Sequence, residues 1–285
     1  MVAIHNNIRE REFTFTMEDF NYLRKISNER TGIVVSDDKF DMFYSRLSRR
    51  VRKLGMSSFK EYCDLIKSEN NGEEIIELVN SITTNLTAFF RENHHFEYLK
   101  NVVIPKFVND CNNKKQFNVW SAGCSTGEEP YSLSIIINEI NIENYKCNAK
   151  ITATDIDSNV LARAASGIYS FERVTGLQNE RLKRWFQRGT GEKKGFVRLK
   201  PEIRNIIEFG QLNLMQNWQL DVVQDVIFCR NVIIYFDKVS KIRLIDRFAD
   251  NLCDGGYLFI GHSESLFKLT ERFELIGQTI YRKIK

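Results

Sequence analysis

Apolar residues recur at helical spacing through roughly the first 80 positions, then gather into short continuous runs separated by polar and glycine-rich breaks. Thr16-Met17-Glu18-Asp19 has the form of a capping box opening the run Phe20 to Ser27. Phe40, Phe43, Leu47, Val51 and Leu54 then follow in steps of three and four, which puts them on one stripe of a helix. Ser57-Ser58 starts a further helix through Tyr62, Leu65 and Ile66, and Glu73 to Ile82 forms another. No proline occurs before residue 105, so the front of the chain is expected to be a small all-helical module.

From Phe117 the pattern alternates between strand and helix. Strands are expected at Phe117–Ser121, Lys150–Asp155, Ile206–Gly210, Asp225–Cys229 and Tyr257–Gly261, with a closing pair at Phe273–Ile276 and Ile280–Lys283. Helices are expected at Pro130–Ile140, Ser158–Ser166 and Lys238–Leu252. Such alternation implies parallel strands joined by right-handed crossovers. Ile168 to Lys200 breaks the rhythm with Gly189-Thr190-Gly191 and then Phe196-Val197-Arg198-Leu199, a turn and a strand outside the main sheet.

The 285 residues allow one large domain or two moderate ones, and 42% hydrophobic with 27% charged residues is the composition of a soluble globular protein. No apolar run approaches the length needed to cross a bilayer, and Met1 to Arg11 lacks the apolar core of an export signal. The six cysteines, at 63, 111, 124, 147, 229 and 253, form no C-x-x-C pair, which fits reduced thiols.

The run from Val119 to Pro130 is the strongest candidate for chemistry. An apolar strand gives way to Gly123-Cys124-Ser125-Thr126-Gly127 and then to a helical pattern, the order at the entrance of a cofactor site in a doubly wound sheet. The same five residues also spell G-x-S-x-G, the nucleophile elbow of serine hydrolases, with Ser125 as nucleophile and His262 available as base. Asp155 closes the second expected strand, where an acid can accept hydrogen bonds from ribose hydroxyls; capping the helix at Ser158 is the alternative for Asp155 or Asp157. Glu128 and Glu129 oppose the helix dipole but make a poor cradle for pyrophosphate. They favour a cationic, phosphate-free cofactor such as S-adenosylmethionine over a dinucleotide.

Asp225 to Phe236 is the second informative run: a buried strand ends at Cys229, so Arg230 and Asn231 emerge at the ligand-facing edge and Tyr235 follows. No metal site is expected, since zinc-like spacings of His and Cys are absent, and His5, His94 and His95 are expected to be structural or solvent-facing. Arg46, Arg49, Arg50 and Lys53 form a basic stripe with no acid from Met42 through Lys60, although residues 1–90 as a whole carry 13 basic and 14 acidic side chains. That stripe suits an acidic partner, either nucleic acid or an acidic protein helix, and no RNA-binding motif accompanies it.

With these residues assembled, the chain resembles the chemotaxis receptor methyltransferases, the CheR family. The resemblance is carried by Thr83-Thr84-Asn85-Leu86-Thr87-Ala88-Phe89-Phe90-Arg91-Glu92, Trp120–Tyr131, Ala153–Asp157, Phe228–Lys238 and Gly255–Leu266. Cys124 departs from the small residue expected in the loop, and its compact thiol should be tolerated there. The resemblance implies an α/β fold: a doubly wound, Rossmann-like methyltransferase sheet in 83–285, an all-α receptor-docking domain in 1–82 and a small inserted β-subdomain at about 168–204. It implies S-adenosylmethionine as methyl donor, leaving S-adenosylhomocysteine, and glutamate carboxylates of chemoreceptors as acceptors.

Carried over residue by residue, the resemblance places Asn85, Thr87 and Arg91 on the cofactor, with Gly123 in its loop, Glu128 at its amino-acid end and Asp155 at its ribose. Asn213 and Leu214 would flank the adenine, Arg230 and Asn231 would close the site, and Arg91 and Tyr235 would lie nearest the methyl group. Arg46, Arg49, Arg50 and Lys53 would dock cytoplasmic helices of transmembrane receptors, and the β-subdomain in some members grips a receptor's C-terminal peptide. A cytoplasmic monomer recruited to receptor arrays is expected, without nucleic acid and without insertion into the membrane. A glutamate carboxylate is ionised near neutral pH, with an ordinary pKa of about 4.3, so the reaction needs no general base.

Overall fold

A computed structural model describes residues 11–68, 72–110, 116–142 and 147–285; His5 and Cys111 lie outside the described residues. The chain divides into two compact units, Met1–Thr83 and Thr84–Lys285.

In the first unit, α1 (Met17–Thr31) begins with the capping box: the Thr16 hydroxyl accepts from the Asp19 N–H while the Asp19 carboxylate accepts from the Thr16 N–H. Gly32, at φ 72°, ends the helix in the left-handed conformation that a residue with a Cβ adopts only at a cost. The helices α2 (Phe40–Lys53), α3 (Phe59–Ser68) and α4 (Glu73–Ile82) complete the unit. Phe43, Leu47 and Val51 of the α2 stripe are fully buried, whereas Leu54 caps the helix and is exposed. Phe15 sits among aromatic rings, 4.3 Å from Phe59 and 4.6 Å from Phe40.

The second unit opens with two short helices, α5 (His94–Tyr98) and α6 (Ile104–Asp110), joined by a π-helical turn at Leu99–Val103. The expected strands and helices of the main sheet had left this stretch unassigned. There follow β1 (Phe117–Ala122), α7 (Glu128–Ile142), β2 (Ala149–Asp155) and α8 (Ser158–Ser166). The excursion is richer than one turn and one strand: it holds β3 (Ile168–Ser170), α9 (Asn179–Trp185), β4 (Phe186–Arg188) and β5 (Phe196–Leu199), and the three strands pair antiparallel in the order β3-β5-β4. The two strands not expected, β3 and β4, are only three residues long, below the window in which alternation shows.

The chain then continues through α10 (Pro201–Arg204), β6 (Ile207–Gln211), β7 (Gln224–Cys229), α11 (Lys238–Asn251), β8 (Leu252–Ile260), β9 (Phe273–Gly277) and β10 (Ile280–Lys283). The main sheet runs β6-β2-β1-β7-β8-β10-β9, parallel from β6 to β8, with β10 antiparallel to both of its neighbours. β8 starts five residues before the expected Tyr257, because its first residue, Leu252, pairs with Gln224 across an irregularity in the ladder.

β1 and β7 are covered on both faces, as central parallel strands must be, so their sequences read as continuous apolar runs. Phe228 and Phe259 stack 4.3 Å apart at an interplanar angle of 9° on one face of the sheet. On α7, buried Ser132 and Ser134 donate to the carbonyls of Glu128 and Ile203, which lets a helix with polar residues pack almost all round. Chain order reverses direction across the sheet between β1 and β7. That switch point opens a crevice at the carboxyl ends of the strands, where doubly wound sheets bind ligands.

Candidate functional site

Three strands deliver candidate residues to that crevice: Gly123 follows β1, Asp155 ends β2, and Arg230 and Asn231 follow β7. The backbone there is under tension. Phe90, Glu92, Ser125 and Asn231 all have left-handed φ, at 52°, 55°, 50° and 59°. Each such conformation costs on the order of 1 kcal/mol for a residue with a Cβ, and it persists only where the surroundings hold it. Gly123, at φ 88°, has no such option: a Cβ would lie 2.4 Å from Cγ2 of Val232, so the loop after β1 and the turn after β7 touch through the absence of a side chain.

Four N–H groups of the glycine loop are bonded within the protein. Gly123 and Cys124 donate to the Thr154 carbonyl at 2.8 and 2.9 Å, Ser125 donates to Asp155 at 2.7 Å, and Gly127 donates to the Cys124 carbonyl at 3.0 Å. A pyrophosphate cradle needs such donors free. Asp155 itself is buried and accepts one N–H on each oxygen, from Ser125 and from Asp157 at 3.0 Å. A carboxylate has about four acceptor positions, so Asp155 keeps acceptor capacity for a ribose hydroxyl. Burial pushes the Asp155 carboxyl above its ordinary range, against the lowering effect of the backbone N–H groups. The alternative, helix capping, falls to Asp157, whose carboxylate accepts from the Asn159 and Val160 N–H groups.

The two loop glutamates carry less free charge than their sequence positions suggest. Glu128 is fully buried and accepts from the Thr126 hydroxyl at 2.6 Å and from the Arg173 guanidinium, supplied by the inserted subdomain. Glu129 accepts from Ser121 at 2.7 Å and from Arg230 at 3.0 Å, and burial pushes its carboxyl up. Neither acid is the unpaired charge that the sequence suggests: both have a cation from a distant segment, and the arginine on Glu128 is partly exposed.

Arg230 is buried and holds Glu129, the Arg91 carbonyl and Glu92, the last at 3.2 Å. Asn231 donates its N–H to Glu264, which also accepts from Ile234 and Gly261. Glu264 thus clamps the turn between β7 and α11 to the end of β8, and burial raises its carboxyl. Tyr235 lies half-buried in a 3-10 turn, and among the described residues its hydroxyl makes no hydrogen bond.

From the segment in front, the Asn85 amide donates to Asp157 at 2.8 Å, half-buried Thr87 follows, and the Arg91 guanidinium donates to the Leu86 carbonyl at 2.8 Å. Leu212 donates to the Asp155 carbonyl at 2.9 Å, which brings Asn213 and buried Leu214 beside the end of β2. The Asn213 side chain accepts from the Met215 N–H. Ser125 does not meet the demands of a hydrolase: its hydroxyl donates to the Asn85 carbonyl at 3.1 Å, while His262 pairs with Glu92 at 2.8 Å. Glu92, Arg173 and Glu264 were not singled out from sequence. Each acts through a partner more than 30 residues away, although Glu92 and Glu264 lie in runs that carry the family resemblance and Arg173 lies in the excursion at 168–200.

His95 is fully buried, with Nε2 3.2 Å from the Gln278 carbonyl, an acceptor only, so the proton sits on Nε2. Burial, and then the charge of Arg230, pull this imidazole down to about 3 from its ordinary 6.5. Between these values the unfolded chain binds a proton that the folded chain refuses. Stability therefore falls as pH falls, by about 1.4 kcal/mol per pH unit from this residue. Asp155, Glu129 and Glu264 are held above their ordinary range and act in the opposite sense. The His95 effect is accordingly read as a difference: from pH 6.5 to about 4, the wild type should lose stability relative to His95→Gln in denaturant titrations. Parallel pH profiles would show that the buried ring is protonated.

The basic stripe belongs to the first unit, where Arg46, Arg49, Arg50 and Lys53 line a cleft of about 380 Å³ with Glu77, Ser81 and Thr83. The stripe is not wholly uncompensated, as its sequence neighbourhood suggested. Arg50 forms a fork with buried Glu74, at 2.8 and 2.5 Å, and reaches Glu77 at 3.2 Å; Arg46 donates to the carbonyls of Ile82 and Thr83. The compensating acids lie on α4, outside the window that looked free of them. Arg49 and Lys53 are exposed and form no ion pair among the described residues.

Comparison with known proteins adds an independent line. Residues 85–282 match the family described as "CheR methyltransferase, SAM binding domain", and residues 18–83 match "CheR methyltransferase, all-alpha domain". The chain is 41% identical over 263 residues to the "Chemotaxis protein methyltransferase" of Escherichia coli (strain K12), covering 92% of this chain and 89% of that protein. It is 41% identical over 271 residues to "Chemotaxis protein methyltransferase 2" of Pseudomonas aeruginosa, covering 95% and 94%. With the "Chemotaxis protein methyltransferase" of Borreliella burgdorferi it shares 35% over 274 residues, covering 94% and 95%.

Proposed function

Since the chain belongs to the CheR family of chemotaxis methyltransferases and uses S-adenosylmethionine, we propose that the crevice at Gly123, Asp155 and Arg230 is its methyl-transfer site. The reaction is O-methylation of glutamate side chains on chemoreceptors, giving the methyl esters used in sensory adaptation. The observation that carries the site is Asp155: a buried carboxylate at the switch point with acceptor capacity left for a ribose, beside a loop in which four N–H groups are already bonded within the protein.

When bound, S-adenosylmethionine supplies a methyl group on a positively charged sulfur, an electrophile that a carboxylate attacks without a base. The chain's task is then to position and to exclude water. Asp155 takes the ribose hydroxyls, Asn213 and Leu214 flank the adenine, and Asn85 and Thr87 close over the front. Glu128 attracts the amino-acid end, sharing its charge with Arg173. Arg230 and Asn231 close the crevice from β7. Attack of an anion on a cation disperses charge, so a water-poor pocket favours the transition state over the solvated reactants. Fixing the approach can contribute about 7–11 kcal/mol. Arg91 and Tyr235 supply that alignment: Arg91 positions the acceptor carboxylate, and the uncommitted Tyr235 hydroxyl orients donor or acceptor.

Arg49 and Lys53 offer the receptor's acidic helices two uncompensated cations. The short β3-β5-β4 sheet leaves β3 and β4 with one free edge each, on which a receptor's C-terminal peptide would add as an extra strand. The protein is proposed to act as a cytoplasmic monomer recruited to receptor arrays; no described helix is long and apolar enough to cross a membrane.

The test is incubation with labelled S-adenosylmethionine and receptor-containing membranes, followed by mild alkali. Carboxyl methyl esters should release the label as methanol. Alkali-stable label on protein, or label on RNA, would overturn the assignment.

A further inference from the structure

We propose that Glu129 and Glu92 are positioning residues for methyl transfer, clamping the Arg230 guanidinium so that it fixes the turn carrying Arg91. The inference rests on reading the crevice as the methyl-transfer site.

The clamp joins five segments of the second unit. From the end of β1, Ser121 donates to one oxygen of Glu129 at 2.7 Å, which fixes that carboxylate at the start of α7. Its other oxygen accepts from Arg230 Nη1 at 3.0 Å. Arg230 Nη2 then donates to the backbone carbonyl of Arg91 and lies 3.2 Å from Glu92 Oε2. The second Glu92 oxygen is held by His262 Nδ1 at 2.8 Å, beyond the end of β8. The guanidinium also lies over the Phe96 ring, 5.6 Å from its centre.

The cluster is a positioning device rather than a general brace. Phe90 and Glu92, on either side of Arg91, are both left-handed, so the turn would relax if nothing held it. Among the described residues, the one bond from the Arg230 guanidinium to a backbone atom goes to the carbonyl of Arg91, the residue assigned to align the acceptor. In addition, a buried guanidinium with two carboxylates carries a desolvation cost that an apolar cluster of the same volume would avoid. A planar fork held on both sides does what apolar packing does not: it specifies direction. Arg230 can lie in only one plane if it is to reach Glu129, Glu92 and the Arg91 carbonyl together.

The variants Glu129→Gln and Glu92→Gln keep the side-chain shape and remove the charge. Equilibrium binding of S-adenosylhomocysteine, steady-state methylation of receptor membranes and thermal melting are measured on the full chain. Each variant should lower kcat about tenfold or more, because small misplacements of an aligning group are costly. Affinity for S-adenosylhomocysteine and KM for receptor should stay within about threefold, as expected when only transition-state alignment is lost. In an Arg91→Ala background the same substitutions should change kcat by less than about twofold, since the group they position is gone.

Wild-type kcat in both variants, or an equal loss with and without Arg91, would overturn the clamp. So would a large loss of cofactor affinity, which would make Glu129 a binding residue. Full activity of Arg91→Ala alone would instead overturn the placement of Arg91 at the transfer site. If Glu129→Gln does not fold, Glu92→Gln, at a less buried position, carries the same test.

Discussion

An Asp155→Ala enzyme should bind S-adenosylmethionine at least about 100-fold more weakly than the wild type, and receptor methylation should vanish with it. Two losses combine at this one position. Hydrogen bonds from ribose hydroxyls to a buried carboxylate are charge-assisted, each contributing about 1.5–3 kcal/mol. The Ser125 and Asp157 N–H groups also lose their acceptor, which loosens the loop that packs Gly123 against Val232. Asp155→Asn retains one acceptor oxygen and part of the shape, and should fall between the two. Isothermal titration with S-adenosylhomocysteine, below the melting transition of each variant, reads the effect directly. Tight binding by Asp155→Ala would move the cofactor away from the end of β2.

Replacing Arg49 and Lys53 together by glutamate should lower receptor methylation by about 100-fold at low salt, through lost steering and docking. Cofactor affinity should be unchanged. The two side chains are exposed and carry no ion pair among the described residues, so their reversal leaves the helical unit intact. The deficit should shrink as ionic strength rises, since the Debye length is about 10 Å at 0.1 M salt. Arg50 is the wrong residue for this experiment, although it lies on the same stripe. Its fork with buried Glu74 ties α2 to α4, and reversal would set two carboxylates against each other, a change expected to cost about 3–5 kcal/mol and to unfold the unit. Unaltered methylation by the Arg49/Lys53 variant, or an equal loss of cofactor affinity, would remove the stripe from receptor docking.

The difference between Arg49 and Arg50 shows where legibility stops. Helical spacing placed both on one face, and their neighbours in sequence contained no acid. Glu74 and Glu77 lie more than 20 residues further on and reach Arg50 only after α4 packs against α2. Glu128 and Glu129 repeat the lesson. As sequence they are two unpaired negative charges at a helix start, whereas in the fold each has a guanidinium, from Arg173 and Arg230. S-adenosylmethionine follows from the family and from the geometry of Asp155; the bare-charge argument for it was incomplete.

The main-sheet strands of the doubly wound unit and the helices of the front unit were readable because burial imposes a short period on local sequence, and capping imposes residue types at fixed offsets. Thr16 and Asp19 close their capping box as expected, and β1 and β7 carry the apolar runs of central strands in a parallel sheet. The two short strands beside β5 were not readable, since three residues display no period.

By itself, then, the sequence of this protein determined the main-sheet strands and the front helices, their order, the glycine loop and the acid at the end of β2, all of them matters of backbone conformation and local burial. Tertiary structure alone decided which charges are free. Arg49 is open to a partner and Arg50 is not, Asp155 keeps acceptor capacity for a ligand, and Arg230 spans Glu129, Glu92 and the Arg91 carbonyl. The reason is physical: conformational preference acts over a few residues, whereas an ion pair or a hydrogen bond depends on distance in space, and packing sets that distance between groups far apart in the chain.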